Sequence, residues 1–260
     1  MKDGHIHTHY CPHGTKDPFE KYIKNAINNG YTEISFTEHF PLPKNFIDPS
    51  PKKDSAPTEK EFEKYLNEAK NIKEKYKNKI KINIGAEVDY IEGFEKEIKE
   101  NLNKYGKFLD DSIISIHMLK TSYGYSCIDY SIEEFEKLIE YFNGIDNLYK
   151  KYYETINDMI FSDLGEYKPK RIGHLNLIRK YCKIFTYDYK EQKILKVLVK
   201  NIKENGFELD YNVSGLRKAN CGEIYISGYL KELVEKNKIK MVLGSDSHDS
   251  STIYDYRKYF

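Results

Sequence analysis

The residues of this chain best suited to chemistry are its eight histidines: His5, His7, His9, His13, His39, His117, His174 and His248. His5 and His7 stand two apart in the β-prone run GHIHTH, so both rings project to one side of a strand and can share an ion. Asp246 and His248 repeat that spacing in GSDSH, just after the bend at Gly244-Ser245. Glu87 closes INIGAE among apolar neighbours, where a carboxylate needs a cation. A lone HxH is most often a hydrogen-bonded structural pair, and a single strand-end histidine says little. The joint pattern is different in kind. Mixed imidazole and carboxylate ligands suit zinc, iron or manganese better than calcium or magnesium. The nine candidates are His5, His7, His13, His39, Glu87, His117, His174, Asp246 and His248. They exceed what one four-coordinate ion can use, so two or three divalent ions are expected.

Elements must bring these side chains together. Seven β-prone runs are predicted as strands: residues 4–9, 32–39, 80–90, 111–119, 171–177, 206–212 and 240–248. Long Lys/Glu-rich amphipathic segments lie between them, such as DPFEKYIKNAINNG with its stripe of Phe19, Tyr22, Ile23, Ala26 and Ile27 ending at Gly30. TEKEFEKYLNEAKNIKEKYK, SIEEFEKLIEYF, DNLYKKYYETINDMI, YKEQKILKVLVKNIKENG and ISGYLKELVEKN read the same way, and their charged faces are solvated outer faces. Strand-then-helix units seven times over predict an α/β fold, a (β/α)7 TIM-like barrel in one domain spanning 1–260. Seven of the eight histidines fall at or beyond the C-terminal end of a predicted strand, the face where such folds place their chemistry. First and last strands of a closed barrel are neighbours, so His5, His7 and Asp246 should converge. Residues 41–57 hold five of the eight prolines and form neither helix nor inner strand. They are expected to be a long loop covering the site.

Composition narrows the function classes. Lys plus Arg (42) nearly cancels Asp plus Glu (41), so no net field draws the surface onto a polyanion and no nucleic-acid coating is expected. No apolar run approaches a bilayer span, and the N-terminus has no signal-peptide pattern, so no membrane partner is expected. Cys11, Cys127, Cys182 and Cys221 are scattered without CxxC spacing, which fits a reducing cytoplasm. The 24 tyrosines must supply much of the core, and their hydroxyls will need partners. Only four basic residues are arginine: Arg171, Arg179, Arg217 and Arg257. A chain this biased to lysine keeps arginine where its planar fork is hard to replace. Arg217, past strand six, and Arg179, past strand five, are the expected phosphate-binding forks, with Arg171 structural and Arg257 in the tail.

At this level the chain resembles the PHP (polymerase and histidinol phosphatase) superfamily, in its histidinol-phosphatase branch. DGHIHTHYCPHGT, SFTEHFPLP, NIGAEVDY, SIISIHMLK, GHLNLIRKYC, YNVSGLRK and GSDSH follow in the family's order. The resemblance implies a distorted barrel with a trinuclear metal site at the C-terminal strand ends. By that likeness His5, His7, Glu87 and Asp246 hold the first ion, and Glu87, His117 and His174 the second. His13, His39 and His248 hold the third. His9 has no ligand role in this scheme, and Cys11 is expected to pack.

Two ions sharing Glu87 can hold a bridging water and lower its pKa until hydroxide attacks a phosphate monoester. Asp246 or His248 is expected to protonate the leaving oxygen. The resemblance makes L-histidinol phosphate the substrate, in histidine biosynthesis. Alternatives are a PHP phosphoesterase acting on nucleotides or nucleic-acid ends, a metal-binding module without turnover, and an amidohydrolase-like barrel. The last generally adds a metal-bridging lysine that is missing from the strand-four end.

Overall fold

The computed structural model describes residues 1–259, and Phe260 and the Arg257 side chain lie outside the description. The strands are β1 (Lys2–Ile6), β2 (Glu33–His39), β3 (Lys81–Asp89), β4 (Ile113–Ser115), β5 (Met118–Thr121), β6 (Gly124–Cys127), β7 (Arg171–Ile172), β8 (Glu208–Asn212) and β9 (Met241–Gly244). Seven of them form one parallel sheet in the order β1-β2-β3-β4-β7-β8-β9. The sheet comes round on itself. Ile6 bridges Ser247, the His7 amide donates to Ser247 O at 3.0 Å, and the Asp246 amide donates to His5 O at 2.7 Å. The first and last strands therefore meet in a nearly closed seven-stranded barrel.

Helices α1 (Phe19–Asn28), α2 (Glu59–Tyr76), α3 (Glu95–Tyr105), α4 (Ile132–Tyr141), α5 (Ile145–Phe161), α6 (Ile194–Glu204) and α7 (Gly228–Lys236) surround it. Each forms for a local reason. α1 follows Pro18, buries Phe19, Tyr22, Ile23 and Ala26, and stops before Gly30, whose φ of 80° suits glycine. α2 opens on a reciprocal cap in which Thr58 and Glu61 satisfy each other's amides. α3 falls outside the expected helices, because only Ile98, Leu102 and Tyr105 face inward along an otherwise polar segment.

Four strand boundaries also differ from expectation: the run 4–9 gives a strand that ends at Ile6, so His7 and His9 lie beyond it. The run 111–119 divides: β4 ends at Ser115, and β5 leaves the barrel to pair antiparallel with β6. The run 171–177 keeps only Arg171–Ile172 in the ladder before a 3-10 turn at Leu177–Arg179. The last strand ends at Gly244, ahead of Asp246 and His248.

Tyrosine hydroxyls are built into the frame. Tyr65 Oη donates to Phe36 O and Gly85 O, both at 2.8 Å, tying β2 to β3 from behind. Tyr153 Oη donates to Asn176 Oδ1 at 2.7 Å. The other end of the barrel is closed by charge. Arg171 donates to Gly4 O at 2.8 Å and pairs with both carboxylate oxygens of Asp111 at 3.0 Å, while Lys2 reaches Asp111 at 2.8 Å. Arg171 is thus structural, as its place at the start of a strand suggested.

Burial works against the Asp111 charge, but Arg171, Lys2 and Ser35 outweigh it and hold its pKa below the ordinary 3.8. A carboxyl depressed in the fold contributes stability that is complete above its unfolded value and is lost as pH falls through the native one. Asp111→Asn is therefore expected to cost roughly 3 kcal/mol at pH 7, the scale of a broken buried pair. In urea unfolding the gap to wild type should close at pH values below 3.8.

Candidate metal centre

The cluster is built around Glu87 at the end of β3. Its Oε2 lies 3.5 Å from His5 Nε2 and 3.3 Å from His7 Nε2, whereas its Oε1 lies 3.0 Å from His174 Nε2 and 3.7 Å from His117 Nε2. One carboxylate faces two imidazole pairs. Asp246 Oδ1 completes the first group at 3.6 Å from His5 and 3.5 Å from His7. A third group gathers beside it. The His13 ring lies 5.0 Å from those of both His39 and His248, and His7 lies 4.3 Å from His39 and 3.9 Å from His248. All nine expected ligands thus converge on one rim. Cys11 is closer than a mere packing residue: its sulfur falls within 4.8 Å of donor atoms of His7, His39 and His248. Burial pushes that thiol up to about 12, which keeps it protonated. His9 turns away to Glu68 at 3.4 Å.

A second set of groups orients the rings, and sequence reasoning missed it. Asp210 accepts from His5 Nδ1 at 2.7 Å and from the His174 amide at 3.3 Å. Asp89 takes His117 Nδ1 at 2.6 Å. Glu38 accepts from the Thr8 amide and the His39 amide, each at 2.9 Å, and lies 3.5 Å from His7 Nδ1. Ser115 Oγ donates to Glu87 Oε1 at 2.7 Å, and Asn212 and Ser214 reach Asp246 at 3.3 and 3.0 Å. The available signal was alternation: Asp210 and Asn212, like Glu87 and Asp89, are polar residues two apart in buried strands and must share the inner face. Glycine makes room for them. A Cβ at Gly244 would lie 1.9 Å from Asp210 Oδ1, and one at Gly173 2.0 Å from Ser115 Oγ. Asp246 itself holds φ at 50°, which swings its carboxylate back over β1.

The donor set fits divalent metal. A carboxylate at Nδ1 makes that nitrogen the donor and leaves the Nε2 lone pair free. His5 and His117 are both held this way, yet their Nε2 atoms face His7 Nε2 at 3.1 Å and His174 Nε2 at 3.0 Å. Both His39 ring nitrogens are buried without a hydrogen-bond partner, as are His7 Nδ1 and His174 Nδ1. A cation between these rings would take up the lone pairs that no protein proton reaches. The carboxylates demand one too. Burial disfavours a charged His5, but Asp246, Glu87 and Asp210 outweigh it and push its pKa up to about 10. His117 is likewise raised to about 10 against burial, by Asp89 and Glu87. Burial would raise Glu87, but His5, His117 and His174 hold it well below the ordinary range. Burial and the neighbouring His7 keep His39 and His248 far below ordinary imidazoles, so both present neutral rings.

A cavity of about 600 Å³ opens over the cluster, with His13, His39, Glu87, His117, Asp246 and His248 among its walls. Residues Ser50, Lys52, Asp54 and Ser55 of the proline-rich segment line it, and Asp54 O accepts from His13 Nδ1 at 2.9 Å. Arg217 reaches the cavity, donating to Tyr256 Oη and Ser245 O at 2.7 Å and to Asp246 O at 3.2 Å. Arg179 does not, and its expected phosphate role is corrected here. Its guanidinium pairs with Glu223 and stacks on Tyr189 at 4.7 Å, turned away from the cavity. The basic residues that line the cavity are Arg217, Lys52, Lys180 and Lys218.

A distorted (β/α)7 barrel with a buried imidazole–carboxylate cluster at its C-terminal rim is a metallohydrolase-type scaffold. The chain belongs to the PHP domain family, whose sequence profile matches residues 3–214. It is similar to the histidinol-phosphatase of Bacillus subtilis (strain 168), at 43% identity over 99% of this chain and 97% of that one. A Listeria monocytogenes structure described as a candidate histidinol phosphatase superposes with a TM-score of 0.96 at 32% identity, covering 100% of both chains. The Lactococcus lactis histidinol phosphate phosphatase, solved with zinc, L-histidinol and phosphate, shares the fold at a TM-score of 0.73 and 22% identity, over 99% of this chain and 91% of that one.

Asp210→Asn keeps the shape of the site but removes the charge that fixes His5. It is expected to weaken metal retention by about 10- to 100-fold, read as metal per chain after dialysis against graded chelator.

Proposed function

We infer that this chain is a metal-dependent phosphatase that converts L-histidinol phosphate to L-histidinol and inorganic phosphate, a step of histidine biosynthesis. The observation that carries the reading is Glu87 with each oxygen facing its own imidazole pair, in a chain 43% identical over its length to a histidinol-phosphatase. His5, His7, Glu87 and Asp246 would hold one ion, Glu87, His117 and His174 a second, and His13, His39 and His248 a third. Zinc, iron and manganese all suit these donors. Divalent ions there supply a lowered water pKa and neutralise the charge of a phosphate ester.

The chain's own residues do the rest. His5 and His7 are fully buried and serve only to hold charge, whereas the Asp246 and His248 side chains are 15% and 29% exposed at the cavity floor. Their place at the cavity floor makes Asp246 and His248 our candidates for relaying a proton from water to the leaving oxygen, neither holding one of its own. Arg217 lines the cavity as the fork for phosphate, while its bonds to Ser245 O and Asp246 O fix the turn carrying that carboxylate. A cavity of about 600 Å³ suits a small ester better than a polymer. A net charge of +1 likewise gives the chain no overall attraction for a polyanion. Four cysteines scattered without CxxC spacing are the ground on which we assign the enzyme to a reducing cytoplasm.

The test is phosphate release from L-histidinol phosphate, other small monoesters, a nucleotide and an oligonucleotide. L-histidinol phosphate is expected to be turned over at least 100-fold better by kcat/KM, with little dependence on salt. Glu87→Gln should lose both metal and turnover. Activity confined to oligonucleotides and falling steeply with salt would refute the reading.

A further inference from the structure

Polar groups around the cavity divide into those with a protein partner and those without. Lys180 is held by Asp129 Oδ2 at 3.0 Å and Asp129 O at 2.5 Å. Arg217 is held by Tyr256, Ser245 and Asp246, and Ser214 Oγ by Asn212 and Asp246. Two donors remain. Tyr225 is 1% exposed and lines the cavity, yet its buried Oη has no hydrogen-bond partner. Lys218 lines the same cavity, and its ammonium has neither a hydrogen-bond nor an ion-pair partner among the described residues.

Both sit on one rigid excursion after β8. The 3-10 turn Ser214–Arg217 starts it, Gly222 N closes it on Gly215 O at 3.0 Å, and Tyr225 N returns to Asn212 O at 3.1 Å. The Tyr225 ring rests against Gly215, where a Cβ would lie 3.3 Å from Cζ, and stands edge-on to His174 at 6.2 Å. Other buried phenols of this chain, Tyr65 and Tyr153 among them, find an acceptor. An unpaired one costs stability and persists where a ligand completes it. An acceptor-only anion is the natural complement of a phenol O–H and an ammonium standing beside an arginine.

We propose that Lys218 and Tyr225 form, with Arg217, the protein wall that holds the ester's phosphate opposite the metal cluster. The proposal rests on the phosphatase reading and adds two substrate-contacting residues to it. Because Tyr225 Oη bonds nothing in the protein, removing it should not disturb the fold, which makes Tyr225→Phe a clean probe. Metal-loaded wild type, Tyr225→Phe, Lys218→Met and Lys218→Arg are compared for metal per chain, melting temperature, and calorimetric affinity for inorganic phosphate and for L-histidinol. Tyr225→Phe and Lys218→Met should keep metal content, show no lowered melting temperature, and bind phosphate about tenfold more weakly, the scale of one lost bond to a charged group. Their L-histidinol affinity should be unchanged, and Lys218→Arg should recover most of the phosphate binding. Unchanged phosphate affinity in Tyr225→Phe or Lys218→Met, or a loss falling on L-histidinol instead, overturns the assignment. A wild type that binds phosphate but leaves L-histidinol phosphate intact refutes the substrate reading alone, and the variants' phosphate affinities still decide the wall.

Discussion

Imidazole rings and carboxylates buried together around Glu87 are the constraint on which this molecule is organised. The Nε2 atoms of His5 and His7 stand 3.1 Å apart and those of His117 and His174 3.0 Å apart, with Glu87 between the pairs. Neutral tautomers could pair these nitrogens, His7 donating to His5 and His174 to His117, but would leave the buried Glu87, Asp89 and Asp210 carboxylates without a countercharge. Positive charge must enter. Protons can supply it to the bare protein, which is the meaning of the raised His5 and His117, and metal binding must then displace them.

Holding such a cluster requires a frame that does not relax around it. Asp210 and Asp89 back His5 and His117 from different strands, so neither ring can turn without losing a charge-assisted bond, and Glu38 stands 3.5 Å behind His7. The frame reaches that tolerance by close approach: glycine at 244 and 173 lets inner-face carboxylates and hydroxyls come within distances a side chain would forbid. At the far end Arg171 and Asp111 play the complementary part, pinning β7 to β1 and to the start of β4.

What could be read from the residues alone follows from what local pattern encodes. Ligand positions were legible because histidine is rare, and its spacing of two at residues 5 and 7 together with strand-end placement is a strong coincidence. Closure was legible because β1 and β9 carry halves of one site. The orienting carboxylates were not, since Asp210 and Asp89 look like any polar residue in a strand until their partners, 205 and 28 residues away, are known. Arg179 misled for the same reason. Its rarity argued for a special role, and it has one, but Glu223, which claims it, lies 44 residues on. Helix α3 escaped notice because three inward residues in eleven leave too faint a stripe.

The irregularity of the barrel is itself part of the site. β2 and β3 run seven and nine residues in full register, while β4 and β7 keep only three and two. A regular strand carried on through His117 or His174 would hold each ring at a fixed height, pointing along the barrel radius. Leaving the ladder early frees both segments. β4 hands over to the β5–β6 hairpin, with Ile128 N donating to His117 O at 2.9 Å, and the chain after β7 turns so that the His174 amide meets Asp210 at 3.3 Å. Both rings can then approach Glu87 Oε1 from the side opposite His5 and His7, which is the geometry a shared carboxylate needs. The short strands are thus a consequence of building a two-sided site on Glu87, and lengthening them would sacrifice one of its faces.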